Sequence, residues 1–425
     1  MTHFGTFCPP STGHLNTMMP LAQELQRRGH RVTHIGVLDA QPKAVAAGLD
    51  FRAIGEDEFP LGSVPEAIAR LGKMTKLAAL RYTIQLIQEG AFIRLRDAPS
   101  VVKSAGIDAL LIDQLSSGAE SVADHLSIPF ISVCSAIPIN QEVGVPPCFT
   151  PWHYSPFPWN HLRNHMGYAL INQLSKPIQT MIIDYRHERK LPPYRQINDA
   201  YSRLAQLSQQ PAEFEFPRTS LPPCFHFTGP YHDSVSREPV PFPFERLTGQ
   251  PIIYASMGTL QNRLVDTFYH IAEACVGMDA QLVISLGGAF DCDALPQLPG
   301  APIIVNYAPQ LQLLQKAALT ITHAGLNTTL ESLSNGVPMV AIPVTNDQPG
   351  VAARISWTGT GEVVPLSRLH STTLKSAIQT VLNKASYSTN ALRLKEAIHR
   401  AGGVSRAADI IEQVVSSKET RIVQT

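Results

Sequence analysis

Apolar positions along the chain follow two alternating rhythms. His3–Cys8 is a short β-prone run, and Pro9–Asn16 (PPSTGHLN) is a loop. Met18, Leu21, Ala22 and Leu25 then recur at the spacing of one helical face. Arg27, Arg28, Gly29 and His30 supply a basic last turn and a glycine stop. Arg31–Val37 is the next strand. Strand, helix and strand in this order make a βαβ unit and predict a parallel sheet. The signature returns as strand Asp108–Asp113 (DALLID), helix Ser117–Leu126 and strand Phe130–Cys134.

The rhythm breaks over residues 140–165. Pro138, Pro146, Pro147, Pro151, Pro156 and Pro158 interleave there with Trp152, Tyr154, Phe157 and Trp159, which predicts an irregular, aromatic-rich wall or lid. A helical stretch runs from about His161 to Arg189. The Pro-rich stretch Leu221–Phe244 contains PVPFPFE and reads as stiff, extended linker. Beyond it the βα pattern restarts. Strands are expected at Pro251–Ser256, Gln281–Ser285, Ile303–Asn306, Leu319–Thr322 and Met339–Ile342, with helices at Leu264–Val276 and Leu326–Asn335. From about Thr372 the chain reads as helical, with a break at Gly402–Gly403. The pattern therefore predicts two α/β domains of similar size, residues 1–229 and 251–404, joined by a linker over 230–250. Residues 405–425 are expected as a C-terminal helix that packs back on the first domain.

Composition narrows the functional classes. Lys+Arg and Asp+Glu are 34 each, and charged residues are only 16% of the chain. A chain without net charge lacks the basic excess that nucleic-acid binding by counterion release requires. A 44% hydrophobic content is too high for a disordered chain. No stretch approaches a membrane span, and MTHFGTFCPP does not read as a signal peptide. The six cysteines, Cys8, Cys134, Cys148, Cys224, Cys275 and Cys292, form no Cys-x-x-Cys pair and read as thiols of a reducing compartment. A cytoplasmic location is expected.

Several chemical motifs fail. No G-x-G-x-x-G follows the first strand, and neither a P-loop nor a G-x-S-x-G elbow occurs. Asp291-Cys292-Asp293 has the spacing of a metal-holding pair, but no third carboxylate lies nearby and it reads as a solvated loop. The densest signal is in residues 306–350. Strand Leu319–Thr322 leads through His323-Ala324-Gly325 into a helix whose N-terminus is suited to a phosphate. Gly325 permits close approach of backbone, while Asn327, Thr328 and His323 add donors. Glu331 suits the hydroxyls of a ribose, and Asp347-Gln348 the vicinal hydroxyls of a sugar. In the first half, His14 follows strand one and Asp113 ends the DALLID strand. Both fall at the carboxyl edge where α/β sheets place their ligands.

The block Tyr307, Pro309-Gln310, His323-Ala-Gly325-Leu-Asn327-Thr328, Glu331, Gly336-Val-Pro338 and Asp347-Gln348 closely resembles the signature box of family-1 UDP-glycosyltransferases. Tyr307 stands where the family usually has Trp, and Leu326 where an aromatic is common. The resemblance implies a GT-B fold, two Rossmann-like domains with parallel sheets facing across a cleft. It implies that Tyr307 stacks on the uracil and that Gln310 and Glu331 hold the ribose. Ser256, Thr259, His323, Asn327 and Thr328 would hold the diphosphate and Asp347 and Gln348 the hexose, with Gly13, Gly258, Ala308 and Gly325 as further UDP-sugar-binding residues. His14 is expected to act as general base, oriented by Asp113, with no metal or other cofactor beside the donor. An acceptor hydroxyl would then attack the anomeric carbon as UDP leaves from the opposite face.

Outside the box, Asp113-Gln114, Ile128–Asn140, Phe216–Pro230, Ala255–Gln261 and Asp347–Ala352 resemble bacterial zeaxanthin (carotenoid) glucosyltransferases. This implies UDP-glucose as donor and a hydroxyl on a long apolar acceptor, with Ser135, Ile139 and Asn140 as acceptor contacts and with peripheral contact to a membrane holding such an acceptor. Related enzymes of phenolics, macrolides and sterols, a UDP-sugar epimerase, and a non-catalytic nucleotide-sugar binder are the other readings.

Overall fold

A computed structural model describes residues 1–74, 76–232, 240–259, 265–288 and 296–423. Asp291, Cys292 and Asp293 lie outside them. The first domain carries a seven-stranded sheet of β1 (His3–Phe7), β2 (Arg31–Gly36), β3 (Asp50–Ala53), β4 (Ala109–Asp113), β5 (Phe130–Cys134), β6 (Gln206–Ser208) and β7 (Phe225–Phe227). Its order is β3-β2-β1-β4-β5-β6-β7. The second domain carries β8 (Ile252–Ser256), β9 (Gln281–Ser285), β10 (Ile303–Val305), β11 (Ala317–Thr322), β12 (Met339–Ala341) and β13 (Gly361–Val363) in the order β10-β9-β8-β11-β12-β13. Every pairing in both sheets is parallel. Helices cover both faces, so β1, β4 and β8 are buried along their whole length; β4 and β8 read as near-continuous apolar runs, while β1 also buries His3 and Thr6, hydrogen-bonded to Thr33 and His34.

Each sheet has one point where the strand order reverses. In the first it lies between β1 and β4, registered Phe7 opposite Ile112; in the second between β8 and β11, registered Ser256 opposite Thr322. The connections leave opposite faces of the sheet there, which opens a crevice beyond the strand ends. His14 and Asp113 stand at the first of these crevices, and Ser256 and the turn His323-Ala324-Gly325 at the second.

Some elements differ from the sequence expectation. The first helix begins at Thr12, so His14 stands in its first turn rather than in a loop. Ser11 is extended at the N-cap, and its carbonyl accepts from the Leu15 amide at 3.1 Å, drawing Gly13 and His14 into the helix. The expected helix over 161–189 is two, Pro158–Leu174 and Lys176–Glu188. Pro177 lacks the amide that would continue the first. The long helix Lys76–Ala105 and the short strands β3, β6, β7 and β13 were not marked by periodicity. Part of the stretch 140–165 is a clamped wall: Asn164 Nδ2 donates to the Val143 carbonyl at 2.9 Å, and the Tyr168 hydroxyl to that of Val145 at 3.0 Å.

Several features join the domains. The Arg354 guanidinium is fully buried and donates to Glu215 from Nε at 3.0 Å and from Nη2, while stacking over Phe216. Tyr154, Phe216 and Trp357 form an aromatic cluster beside this pair. The final helix, Gly403–Val423, returns to the first domain. Its Ala407, Ala408, Ile411 and Val415 share an apolar cluster with Leu15, Met18, Leu21 and Leu25. Arg28 meets Asp409 at 2.6 Å and Glu412 at 2.7 Å. Where the chain leaves and re-enters the first domain, the Gly403 amide donates to the Thr228 carbonyl at 2.6 Å. Gly229, Gly402 and Gly403 at this meeting point all have left-handed torsions, φ 84°, 87° and 60°. Among the described residues, Cys8, Cys134, Cys148, Cys224 and Cys275 are free thiols.

Candidate active site

At the first crevice, His14 Nδ1 lies 2.8 Å from Asp113 Oδ2. Asp113 is almost fully buried and its other oxygen accepts the Leu115 amide at 2.8 Å, which fixes the carboxylate plane. Burial alone would lower the affinity of the imidazole for a proton. The charge and hydrogen bond of Asp113, with a contribution from Asp347 across the cleft, outweigh it and raise the His14 pKa. With Nδ1 held by the carboxylate, Nε2 is the ring nitrogen available to a substrate.

At the second crevice, His323 is bedded between two glycines. A Cβ on Gly258, itself at φ 73°, would approach the imidazole to 2.5 Å, and one on Gly325 would also collide with it. Burial pulls the His323 pKa down to about 4. Burial therefore favours the neutral ring, which can offer an anion a hydrogen bond. Gly325 caps the helix Leu326–Ser334 with extended torsions, so the first amides of that helix remain unpaired. Gln310 ties three elements together. Its Oε1 accepts from the Tyr254 hydroxyl at 2.9 Å, and its Nε2 donates to Glu331 and, at 3.4 Å, to Thr328 Oγ1. Tyr307 stands at the rim, 54% exposed, with Gly288 close against its hydroxyl edge.

Both crevices open into one cavity of about 880 Å³. Its lining includes His14, Asp113, Gly13, Tyr307, Ala308, Gln310, His323, Gly325, Asn327, Thr328, Glu331, Asp347 and Gln348, together with Ser256, Gly258 and Thr259. From His14 the cavity continues into the first domain between apolar side chains, among them Phe59, Ile68, Leu80, Ile87, Phe149 and Ile178. Asp347 sits across the cleft from His14. Burial raises its pKa, against the opposing pull of His14.

The structure gives some anticipated residues additional or different work. Asn327 bridges the domains: Nδ2 donates to the Gly13 carbonyl at 2.8 Å and Oδ1 accepts from Gln209 at 2.8 Å. Gln348 turns its Oε1 to the amides of Val344 and Thr345 at 2.8 and 3.1 Å, leaving only its amino group for a ligand. Ser135 and Ile139 line the cavity, but Asn140 does not. Asn140 is buried, bonded to Gln114 at 3.0 Å and Gln206 at 2.9 Å, so its side chain props the wall behind the cavity. Two buried charged residues of the cavity lining, Arg94 and Glu120, are not marked by the sequence. Arg94, pulled down to about 10 by burial, donates to the Ser117 carbonyl at 3.0 Å. Glu120 is pushed up to about 7 by burial. Both come from helices, where spacing does not separate a cavity-facing charge from a solvated one.

This architecture is that of a two-domain glycosyltransferase. The model of the UDP-glucoronosyl and UDP-glucosyl transferase family matches residues 74–415, and the chain belongs to that family. It is 32% identical over 422 residues to the zeaxanthin glucosyltransferase of Pantoea ananas, covering 98% of this chain and 96% of that protein. It is 31% identical to that of Pseudescherichia vulneris, covering 99% and 100%. Among solved structures, a calicheamicin glycosyltransferase superposes with a TM-score of 0.76 at 19% identity, covering 98% of each chain. The glycosyltransferase of kitacinnamycin gives 0.74 at 21%, covering 97% of this chain and 98% of that one. The GT-B fold implied by the sequence is thus the fold of the molecule.

Proposed function

We propose that this enzyme transfers glucose from UDP-glucose, with inversion and without a metal, to a hydroxyl of an apolar small molecule, a carotenoid diol of the zeaxanthin type first among them. The observation that carries the reading is the His14–Asp113 pair placed where the sugar end of the second crevice meets the apolar extension of the cavity. His14 Nε2 takes the proton of the acceptor hydroxyl as its oxygen attacks the anomeric carbon. Asp113 fixes the tautomer and stabilises the imidazolium that forms. The transition state spreads positive charge over the sugar ring while negative charge builds on the departing diphosphate. The amides at the start of helix Leu326–Ser334, His323, Thr328, Ser256 and Thr259 meet that charge as neutral, oriented donors. Gln310 and Glu331 hold the ribose, Tyr307 and Ala308 the uracil, and Asp347 with the amino group of Gln348 the hexose. Ser135 and Ile139 border the acceptor.

The test is incubation with UDP-glucose and, in turn, a carotenoid diol, phenolics, macrolides and sterols, following UDP release, product mass and anomeric configuration by NMR. A β-glucoside of the carotenoid is the expected product. Better turnover of a macrolide or phenolic would move the acceptor class, a free epimerised UDP-sugar would assign an epimerase, and silence across the panel would sink the transferase reading.

A further inference from the structure

The helix Pro158–Leu174 has two apolar faces. One, through Gly167, Tyr168 and Ile171, packs on the wall beneath it. The other points to solvent. Trp159 is 81% exposed, Leu162 54%, Met166 65% and Leu170 51%, with Phe157 just before them at 68%. Spacings of three, four and four place these side chains within one narrow arc of the helix. Single exposed apolar residues are ordinary; a row of four on one helix face, with Phe157 exposed just before it, marks an interaction surface.

Two further observations say what covers it. The row is continuous with the mouth of the acceptor cavity. Asn172 and Ser175, at the end of this helix, and Gln179 and Ile183, on the next, all line the cavity, and Ile183 is itself 58% exposed. The formal charge along this part of the chain has one sign: no Asp or Glu occurs between Glu142 and Asp184, whereas Arg163 and Lys176 do. An apolar row with an indole at one end, formal charge of positive sign only along its own segment, and an adjoining apolar cavity match the interface of an anionic lipid bilayer. No helix among the described residues is long and apolar enough to cross a membrane, so such contact lies on the surface of the bilayer.

We infer that the outer face of helix Pro158–Leu174 docks on an anionic lipid surface and presents the cavity mouth to the acyl region, from which an apolar acceptor enters. The inference rests on the apolar-acceptor reading, and its test is read without turnover. The full-length enzyme is sedimented with vesicles of phosphatidylcholine alone and with vesicles carrying roughly a third phosphatidylglycerol. The triple variant Leu162→Glu, Met166→Glu, Leu170→Glu is compared at three positions that touch neither dyad nor donor box. Wild type is expected to bind the anionic vesicles, weakly the neutral ones, and the variant to lose about tenfold or more. With acceptor embedded in the vesicles, the variant's rate is expected to fall in step. With a short water-soluble acceptor it is expected to stay at the wild-type rate, which also shows that the variant folds. Equal vesicle binding by wild type and variant overturns the inference. So does a wild-type dimer that ignores vesicles and is dispersed by the variant, which would assign the face to a second copy of the chain. Vesicle binding without transfer to any acceptor would remove the proposed function and leave the docking face standing.

Discussion

The two walls of the cleft are built on the same topological device and by opposite means. The second-domain wall holds its ligand groups close to the backbone. Glycines bed His323, a helix end supplies amides, and Gln310 locks three elements with one side chain. The first-domain wall holds one hydrogen-bonded dyad and then many interchangeable apolar side chains from several helices. The contrast teaches where tolerance lies. A backbone-close site fixes residue type at each position, because any added atom collides. A side-chain cavity fixes only its volume and polarity.

That contrast breaks in a graded order. His14→Ala removes the base and is expected to lower kcat/KM by about 10³-fold while UDP affinity, measured by calorimetry, is unchanged. Retained turnover would remove His14 from its role. Asp113→Asn is expected to lower the plateau by about 10²-fold and to shift the pH profile. A protonated His14 cannot accept, so activity rises with pH through its pKa. Since Asp113 outweighs burial to hold that pKa above the ordinary imidazole value, the variant's acidic limb should move to lower pH. An unmoved limb would mean that another group titrates.

Smaller effects separate the two walls. Tyr307→Ala removes the stacking face and is expected to weaken the donor by about 1–3 kcal/mol, read as donor KM with acceptor KM unchanged. Ile87→Ala, in the apolar cavity, is expected to change acceptor KM by roughly tenfold at most and leave the donor alone. A donor effect from Ile87, or an acceptor effect from Tyr307, would show that the two walls are not independent.

Legibility in the sequence follows the same division. The central strands β4, β5 and β8 announce themselves because strands covered on both faces are mostly apolar, while β1 and β11, which bury His3, Thr6, Thr320 and Thr322, show as β-prone runs leading into a turn and a helix. Short outer strands such as β7 and β13 pair on fewer residues and leave no such mark. The box over 306–350 could be read residue by residue because its chemistry demands particular types at particular distances along the chain. Proximity through space could not. Whether Asn327 faces a phosphate or the Gly13 carbonyl, or whether Asn140 faces the cavity or Gln206, depends on contacts more than sixty positions apart. His14 was placed on the right edge but in the wrong element, since nothing local marks Thr12 rather than Met18 as the start of the helix. Arg94 and Glu120 left no signal, because helices carry charges everywhere.

The paired chain crossings at Thr228 and Gly403 have a mechanical meaning. Two connections set far apart leave a pair of rigid bodies a single axis, the line between the attachments. Here the outgoing and returning segments touch through the Gly403–Thr228 hydrogen bond, so they tie the domains together at one place rather than two. Gly229, Gly402 and Gly403 let the chain take the left-handed torsions that bring the two crossings side by side. The Arg354–Glu215 pair lies elsewhere on the same interface, and parting it would strand a buried charge.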